Sequence, residues 1–438
     1  MKMNDKFSNC TGSAARTQVQ LTISPRDPII IRDGRPFGAG SEGANRARSL
    51  DWLYPSTAAG AIRTLVGKIW AEHKAKGAAS NPFHNVAFLL RLKQIKIRGP
   101  LPLADETLYV PRPLDFWEYE SGYRATLRPR LLEEGEGCDL PNKKLWPLSV
   151  PLSEKPARMS PFWSMETVAS WLAQDLRDNF SPGQVLDEFK KEVRVHVKID
   201  SATGTSDDSQ LFITQGLAIP DIDFRPRNVI TGQVDKNSYN KSTKIVFLVE
   251  TEDGELGDLM PKIDTIHTLG GERRLARFHA RDPINSWWCC PPVIKEALGE
   301  ARGVRMLLAT PAVFQNGWLP GWINSETLEG SPPGKSSIIL RLRGASIGRW
   351  QAISGWSKEK GMRGPKPVKR VVPAGSVYFF QVVKGSAQEL ADLWLRSVSD
   401  KNPNQKDDSV REQDRNDGFG LALWGVWQMH TEKGGSVL

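Results

Sequence analysis

Alternation of apolar and polar side chains predicts the clearest strand of the chain at Glu192–Ile199. Valine or isoleucine occupies every second position there, and Arg194, His196 and Lys198 stand between them, so the two kinds of side chain fall on opposite faces. The sequence SATGTSDDS that follows is typical of a turn, and LFITQGLAI returns as the partner strand. The pattern predicts a long β-hairpin with one basic face.

Other apolar and alternating runs predict the remaining elements. Strands are predicted at Gln18–Thr22, Pro28–Ile31, Phe88–Ile97, Lys244–Val249, Val304–Ala309, Ser337–Leu342, Ser376–Val383 and Gly420–Trp427. Helices are predicted from Ser56 or Thr57 to Trp70, at Val168–Arg177 and at Ala387–Ser397. Strands interleaved with helices, twice over, predict an α+β fold made of two sandwiches of the split-βαβ type.

Changes in composition divide the chain into an arm and two domains. A tryptophan pair and two prolines at Asn285–Pro292 indicate the junction between the domains. The expected parts are a flexible N-terminal arm at 1–17, a first domain at 18–298 with a proline-rich insertion (77–190) and the hairpin (192–219), and a second domain at 299–438 with a disordered loop near 400–417.

The bulk composition is that of a folded protein with a modest positive charge. A length of 438 residues suffices for two or three domains, and a net charge of +9 does not by itself indicate a nucleic-acid partner. The cysteines (Cys10, Cys138, Cys289 and Cys290) have the spacing of neither a disulfide framework nor a zinc site. Because the sequence has no signal-peptide pattern and no apolar run of membrane-spanning length, we expect a cytoplasmic protein. We also expect that it needs no cofactor.

The segment Gly355–Phe380 joins a basic loop to an apolar strand, VVPAGSVYFF. Only Glu359 is acidic in this loop, and its basic residues are Lys358, Lys360, Arg363, Lys366, Lys369 and Arg370. Like charges this close repel one another unless an anion neutralises them. The loop is therefore interpreted either as a site for a polyanion or as a solvated surface loop.

A first glycine motif, TLGGERR, occupies Thr268–Arg274 and precedes an apparent helical pattern at Leu275 and Phe278. Backbone N–H groups at paired glycines before a helix can hold a phosphate, and the two arginines add positive charge. The alternative is an ordinary tight turn.

A second glycine motif, DGFGLALWG, begins at Asp417. Glycine leaves the backbone bare there, so a ligand or another strand can approach closely. The alternative is a β-bulge at the start of a strand.

His196, His267 and His279 are the candidates for acid–base chemistry. None of them stands in an HExxH motif or beside a recognisable nucleophile pattern. A histidine beside RNA can nevertheless promote cleavage at a 2′-hydroxyl without a metal. Endoribonuclease activity through His196 or His279 therefore stays open.

The motifs occur in an order that resembles a known family. IIIRDGRPFGAGSEG and YPSTAAGAIRTLVG come first, and RVHVKID, TGTSDDSQLF, LGGERRLARF, KPVKRVVPAGSVYFF and DGFGLALWG follow. From about residue 18 to 428 this ordered set resembles the third subunit of Cmr complexes, a member of the RAMP superfamily in type III-B CRISPR effectors.

The resemblance implies two tandem ferredoxin-like (RRM-like) domains that bind and cap the repeat-derived 5′ handle of a guide crRNA. It also implies that the hairpin acts as a thumb between guide and target RNA. The residues expected to bind RNA through this resemblance are Ser56, Thr57, Arg63, Arg194, His196, Lys198, Gly270, Gly271, Arg273, Arg274, Gly418, Phe419 and Gly420. Lys366, Lys369 and Arg370 of the basic loop, which the resemblance does not align, are expected to bind RNA because of their charge.

A non-catalytic subunit is the function that the resemblance implies. Its expected partners are the crRNA handle, the large signalling subunit, the backbone RAMP subunits and, near the thumb, the target RNA, with no membrane. Because no RNP aromatic pattern occurs, we expect recognition through phosphates and splayed bases. Two alternatives stay open: a metal-independent endoribonuclease of the repeat-processing type, and a structural bridge whose basic loops meet an acidic protein.

Overall fold

A computed structural model describes residues 16–34, 46–74, 82–150, 153–174, 180–220, 242–357, 364–403 and 411–429. Nearly all of the predicted arm, the glycine-dense loop at 37–43 and the tip of the basic loop with Lys358, Lys360 and Arg363 lie outside these residues. No helix in the described ranges has the length and apolar character needed to cross a membrane.

Helices are fewer than strands in both halves of the described chain. The α-helices are α1 (Pro55–Lys74), α2 (Val86–Gln94), α3 (Met165–Ala173), α4 (Gly254–Gly257), α5 (Pro292–Leu298) and α6 (Gln413–Asp417). Short 3₁₀ helices occupy Pro82–His84, Met260–Lys262, Gly271–Arg273, Ser286–Trp288 and Ala387–Leu393.

The strands follow in chain order. Those of the first half are β1 (Thr17–Pro25), β2 (Arg46–Ala47), β3 (Lys96–Ala104), β4 (Thr107–Pro111), β5 (Phe116–Glu118), β6 (Arg124–Thr126), β7 (Arg128–Pro129), β8 (Leu148–Ser149), β9 (Phe162–Ser164), β10 (Val185–Leu186), β11 (Lys191–Ile199), β12 (Ser206–Leu217), β13 (Thr243–Thr251), β14 (Asp264–Thr268) and β15 (Leu275–Arg281). Those of the second half are β16 (Gly303–Leu308), β17 (Glu329–Gly330), β18 (Ile339–Ser346), β19 (Gln351–Ile353), β20 (Trp356–Ser357), β21 (Gly364–Pro365), β22 (Lys369–Val371), β23 (Val377–Lys384), β24 (Arg396–Ser397) and β25 (Leu421–Val426).

The first half is built on an eight-stranded sheet in the order β10-β9-β4-β3-β13-β1-β15-β14. β13 lies inside this sheet, as its continuous apolar run predicts. Ile245 and Phe247 pack with α1, whereas Val246 and Leu248 face the core shared with the second half. Both faces of the central strand are therefore covered.

The second half is a six-stranded sheet in the order β17-β18-β23-β16-β25-β24. Its inner strands carry fully buried large side chains, among them Phe379 and Trp424. These residues belong to the same apolar cluster as Leu101 and Trp163 of the first half. The two sheets thus share one hydrophobic core, and polar contacts cross between them as well: Arg305 Nη1 lies 3.0 Å from Asp115 Oδ2, and both side chains are fully buried.

Most predicted strands are confirmed, but the strand predicted at Phe88–Ile97 is wrong in its first part. The segment is helical from Val86 to Gln94, and β3 begins only at Lys96. The Asn85 side chain accepts a hydrogen bond from the Phe88 N–H at 3.1 Å and caps the helix. Capping by an asparagine outside the apolar run decided the local structure.

Three other predictions also change. The helix predicted at Leu275 and Phe278 is wrong because buried Ala276 and Phe278 alternate with exposed neighbours in β15. The helix predicted at Ala387–Ser397 is a 3₁₀ helix that ends at Leu393. The stretch near 400–417 is ordered in part, because α6 buries Asp414, Asn416 and Asp417; residues 404–410 lie outside the described chain.

Cys138 and Cys290 are free thiols, whereas Cys289 takes part in a disulfide, which the sequence did not predict.

Candidate nucleic-acid interface

The predicted hairpin is present, and its apolar face is exposed as well as its basic face. β11 and β12 pair along their lengths, and the next strand in this small sheet is β2. Val193, Val195 and Val197 are 51%, 64% and 47% exposed. The alternation identified the strand correctly but did not show that the apolar face would also meet solvent, because that depends on what packs against the hairpin.

The opposite face carries the three predicted basic residues. Arg194 and Lys198 are exposed, and His196 is half-buried. His196 Nε2 lies 2.8 Å from Thr214 Oγ1, and its ring stacks on Phe212 with 4.8 Å between centroids. His196 therefore stabilises the hairpin, while Arg194 and Lys198 supply charge at its surface.

The root of the hairpin is fixed to the segment predicted as a strand at Pro28–Ile31. That segment forms a single bridge, in which Ile29 and Leu217 exchange backbone hydrogen bonds of 2.9 and 2.7 Å. A Cβ atom on Gly216 would lie 2.8 Å from the Pro28 Cβ. The close contact explains the glycine and ties the hairpin to the body of the protein.

Two arginines that the sequence analysis missed lie beside the hairpin. β2 runs parallel to β12 with Arg46 opposite Ile213. Arg46 and Arg48 are exposed, and they alternate with buried Ala47 and Ser49. The alternating sequence RARS was the available signal for a short strand with a basic face.

The GGERR turn packs against the same segment. Gly270 has φ 76°, and a Cβ atom there would lie 2.7 Å from the Ile30 carbonyl oxygen. The Gly271 N–H donates to that oxygen at 2.8 Å. The glycines thus allow the backbone to approach another part of the same chain, and the Gly271 N–H is already used by the fold. The positive charges of the turn remain at the surface: Arg273 is exposed, and half-buried Arg274 donates to Glu272 at 3.1 Å.

Backbone contacts make this turn and the hairpin root neighbours, because Ile29 bonds to Leu217 and the adjacent Ile30 carbonyl accepts from Gly271. The pKa of Arg194 is raised, first by its hydrogen bond to Glu192; burial opposes this, and the charges of Glu192, Asp27 and Glu272 raise the pKa further. Glu272 belongs to the GGERR turn, and Asp27 precedes the bridge at Ile29. Arg194 therefore lies on a mixed-charge surface beside the acidic side chains of Glu192, Asp27 and Glu272.

The residues predicted at the start of α1 lie at the junction of the two halves. Ser56 and Thr57 are half-buried. Arg63 is buried, and it donates to an Asp417 carboxylate oxygen, to the Ile95 carbonyl at 2.7 Å and to the Asn416 carbonyl at 3.1 Å. Protein groups thus surround its guanidinium group.

The second glycine motif serves the same junction. Gly418 has φ 100°, and a Cβ atom there would lie 2.5 Å from the Gly99 carbonyl oxygen. Phe419 is 1% exposed, and Gly420 has φ 69° and abuts Ser399. The close approach that the motif permits is between two parts of this chain, and Phe419 is part of a small apolar cluster with Tyr54, Ile353 and Val371.

The described part of the basic loop divides into paired and exposed charges. Lys369 Nζ lies 2.7 and 2.8 Å from the two carboxylate oxygens of Asp414. Lys366 and Arg370 are exposed, and the Arg370 guanidinium carbon lies 4.8 Å from the centroid of the Trp350 ring.

A series of backbone contacts connects the hairpin root to this loop. The Leu50 N–H donates to Ile31 at 2.8 Å, and a Cβ atom on Gly34 would lie 3.2 Å from the Ala352 carbonyl oxygen. Ala352 pairs with Arg370 across β19 and β22. We define the basic surface by the exposed cations that border this path: Arg46, Arg48, Arg194, Arg273, Lys366 and Arg370.

The histidines do not meet one another at this surface. His279 lies in β15 with its Nδ1 3.5 Å from Asp264 Oδ1, and both side chains are half-exposed. His267 is buried beside Phe278, and burial followed by the charge of Lys68 lowers its pKa. Within the described ranges, no group of three or more His, Cys, Asp or Glu side chains is arranged to hold a metal ion.

Some solved structures resemble the chain at low similarity. A chain in the cryo-EM structure of type III-B Cmr-β bound to cognate target RNA and AMPPNP is 15% identical with a TM-score of 0.43, and the match covers 82% of this chain and 86% of that one. The same complex bound to target RNA gives 15% identity, a TM-score of 0.42 and the same coverage. A crystal structure of the Csm3–Csm4 subcomplex of the type III-A interference complex gives 9% identity and a TM-score of 0.34, over 84% of this chain and 94% of that one.

The family assignment rests on the sequence instead. No curated protein matches the chain. The model of the CRISPR-associated protein family Cas_Cmr3 matches residues 21–427, which is nearly the whole length. The chain therefore belongs to the Cas_Cmr3 family of CRISPR-associated proteins, the family that its ordered motifs resemble.

Proposed function

We propose that this Cas_Cmr3-family subunit of a type III-B effector binds and caps the 5′ handle of the crRNA along the basic surface, without cleaving RNA itself. The observation that carries the proposal is the meeting of three separate segments, the hairpin root, the GGERR turn and the Arg46–Arg48 segment, at one place. Exposed arginines from all three can neutralise the phosphates of a strand that lies across them.

The strand order supports two ferredoxin-like domains within this proposal. In the first sheet the strands β1, β3, β13 and β15 lie in the spatial order 4-1-3-2 when read from β15, and β16, β18, β23 and β25 repeat that order in the second sheet. This is the order of the split-βαβ arrangement. Such sheets serve many functions, so the RNA-binding role is argued from the exposed charges and not from the fold.

The proposal rests on a shorter list of RNA-contacting residues than the one expected from the sequence. Arg194, Lys198, Arg273, Lys366 and Arg370 stay in the proposal as exposed charges, and Arg46 and Arg48 join them. Arg63, Phe419 and the glycines of both motifs are assigned to packing, and His196 and Lys369 to the internal contacts described above. Ser56, Thr57 and Arg274 are proposed to border the surface.

The hairpin is proposed to act as the thumb between guide and target RNA. Its exposed valine face can pack against the outermost base pair, which a charged face cannot do as well. The large signalling subunit and the backbone RAMP subunits are proposed as protein partners, and we expect this assembly in the cytoplasm.

Binding of handle-bearing RNA by purified full-length protein tests the proposal. Reversing two charges of the basic surface (Arg46→Glu with Arg273→Glu) is expected to weaken binding at least tenfold, because two phosphate contacts become repulsive. Lys143→Glu with Lys295→Glu is the charge-matched control, since both lysines are exposed and neither belongs to the basic surface. Equal binding by the double variant and the control contradicts the proposal.

A cleavage assay tests the non-catalytic part separately. Repeat RNA incubated with the protein in EDTA is expected to stay intact. Specific cleavage that disappears in His279→Ala would instead favour the metal-independent endoribonuclease, which the His279–Asp264 pair supports.

A further inference from the structure

Two exposed tryptophans lie on the stem of the basic loop. The stem consists of β19 paired with β22 and β20 paired with β21, with Trp356 opposite Pro365. Between the two ladders the Lys366 N–H donates to the Gly355 carbonyl at 2.8 Å. These contacts make one extended antiparallel stem.

One side of this stem faces the protein. Ile353 and Val371 are buried with Tyr54 and Phe419. Side chains alternate along a strand, so Trp350 and Arg370 fall on the other side. Trp350 is 53% exposed and carries Arg370 over its ring at a distance of 4.8 Å.

Exposure of this degree is unusual for tryptophan in this protein. All fifteen tryptophans of the chain lie within the described residues. Only Trp350 and Trp356, 53% and 62% exposed, stand among the exposed large apolar side chains. Large aromatic rings gain most from burial, so these two rings together indicate a surface that meets a partner.

The described chain segments that carry the two rings are positively charged. The described segments 346–357 and 364–371 contain Arg349, Lys366, Lys369 and Arg370 and no acidic residue. Lys369 is bound to Asp414, but the other three are exposed. The partner that fits this surface is therefore anionic and offers flat faces to the rings.

A single strand of nucleic acid meets both requirements, because its unpaired bases stack on aromatic rings while its phosphates meet the cations. A duplex hides its base faces between neighbouring pairs, and an acidic protein surface offers no comparable ring partner. The two tryptophans are six positions apart, up to about 20 Å along an extended strand, so each would meet a different nucleotide.

We propose that Trp350 and Trp356 are stacking sites for unpaired bases of a single RNA strand, with Arg370 and Lys366 holding its phosphates. This inference rests on the proposed function and extends it. The sequence analysis predicted recognition through phosphates and splayed bases but identified no aromatic ring for those bases. The inference supplies two such rings.

Two RNA ligands of equal length and charge separate stacking from charge. Fluorescence anisotropy with the full chain would measure the affinity for a labelled single-stranded RNA of about 12 nucleotides and for the same RNA with abasic sites throughout. Trp350→Ala and Trp356→Ala are each expected to weaken binding of the base-bearing RNA by about 5- to 150-fold. Their affinity for the abasic RNA should equal that of the wild type.

Conservative variants control for misfolding. The wild type gives a test without any mutation, because equal affinity for the base-bearing and the abasic RNA would contradict the inference. Trp350→Phe and Trp356→Phe keep an aromatic face, and they are expected to stay within about threefold of the wild type. If the alanine variants bind both RNAs as the wild type does while the Arg46/Arg273 reversal loses binding, the stacking sites are refuted and the proposed function stands.

Two further outcomes also overturn the inference. If the wild-type protein binds no RNA, the proposed function fails together with it. If the alanine variants bind RNA normally but no longer assemble with the other effector subunits, the two rings belong to a protein interface.

Discussion

Arg63 in α1 forms a buried ion pair with Asp417, the residue directly before Gly418. The contact joins α1 to α6, and the Arg63 guanidinium also donates to the Ile95 and Asn416 carbonyls. A residue that motif order implied as an RNA contact is thus part of the junction between the two halves.

Arg63→Ala is expected to lower the free energy of unfolding by about 3 kcal/mol or more, because removing one partner leaves the Asp417 carboxylate buried without its cation. Chemical denaturation measures the loss. Lys74→Ala on the same helix is the control, since the Lys74–Glu255 pair is about half exposed and is expected to contribute less than about 1 kcal/mol. Folded Arg63→Ala protein should bind handle RNA as the wild type does; a selective loss of binding with unchanged stability would return Arg63 to the RNA site.

The buried Glu250 carboxylate makes the free energy of unfolding depend on pH in the acid range. Burial raises the pKa of Glu250, but the charges of Arg98 and Arg396 and their hydrogen bonds outweigh it and hold the pKa below its ordinary value. A lowered pKa in the folded protein means that the unfolded chain binds the proton first, so this contribution to stability is present above about pH 4.3 and is lost as the pH falls below that value.

Glu250→Gln is therefore expected to lower stability at pH 7 by about 3 kcal/mol and to make the acid-side loss of stability shallower. Urea denaturation between pH 3 and pH 7 measures both effects. Glu252→Gln serves as the control because that side chain is 66% exposed. The interpretation of Glu250 fails if both variants follow the wild-type pH curve.

The exposed valine face of the hairpin predicts a separation between stability and target binding. Replacing Val193, Val195 and Val197 together by serine is expected to change the free energy of unfolding by less than about 0.5 kcal/mol per site, because these side chains are largely in water already. In an assembled effector that contains the variant, 2-aminopurine at the first guide–target pair beside the handle should be less fluorescent than with the wild type. The reason is that the serine face no longer separates this pair from its neighbours, so the probe stays stacked and quenched. A fluorescence signal at the wild-type level would contradict the thumb role.

The two free cysteines predict a sharp difference in labelling. Cys138 is exposed, whereas Cys290 is buried and burial raises the pKa of its thiol to about 12. At pH 8 only about one Cys290 thiol in ten thousand is ionised. Iodoacetamide should therefore modify Cys138 in the native protein and reach Cys290 only on unfolding, as peptide mass spectrometry would show. Equal labelling of both in native protein would be inconsistent with the buried position of Cys290.

Sequence patterns predicted elements well where the local pattern decides the structure. The alternation at Glu192–Ile199 identified β11, and the apolar run at Lys244–Val249 identified a strand inside the first sheet. The same patterns did not show which side chains would be covered. Arg63 and Phe419 are buried by segments far away in the chain, which periodicity does not reveal.

The candidate site was predicted in part for the same reason. Arg273 and the hairpin arginine Arg194 both border the basic surface, whereas Arg46 and Arg48 were missed because a two-residue strand carries little pattern. The glycine motifs predicted a close approach to the backbone but did not identify the approaching group. Gly270 and Gly418 permit close approach, and in both cases the approaching group is another part of the same backbone.

The salt dependence of handle-RNA binding tests the central claim most directly. Each phosphate of a single strand that the basic surface neutralises contributes about −0.7 to the slope of log affinity against log salt concentration. The wild type should give a steep slope, up to about −4 if all six cations are engaged, and the Arg46→Glu/Arg273→Glu variant should be shallower by about 1.4. A wild-type slope near zero, or an unchanged slope in the variant, would contradict RNA binding at this surface.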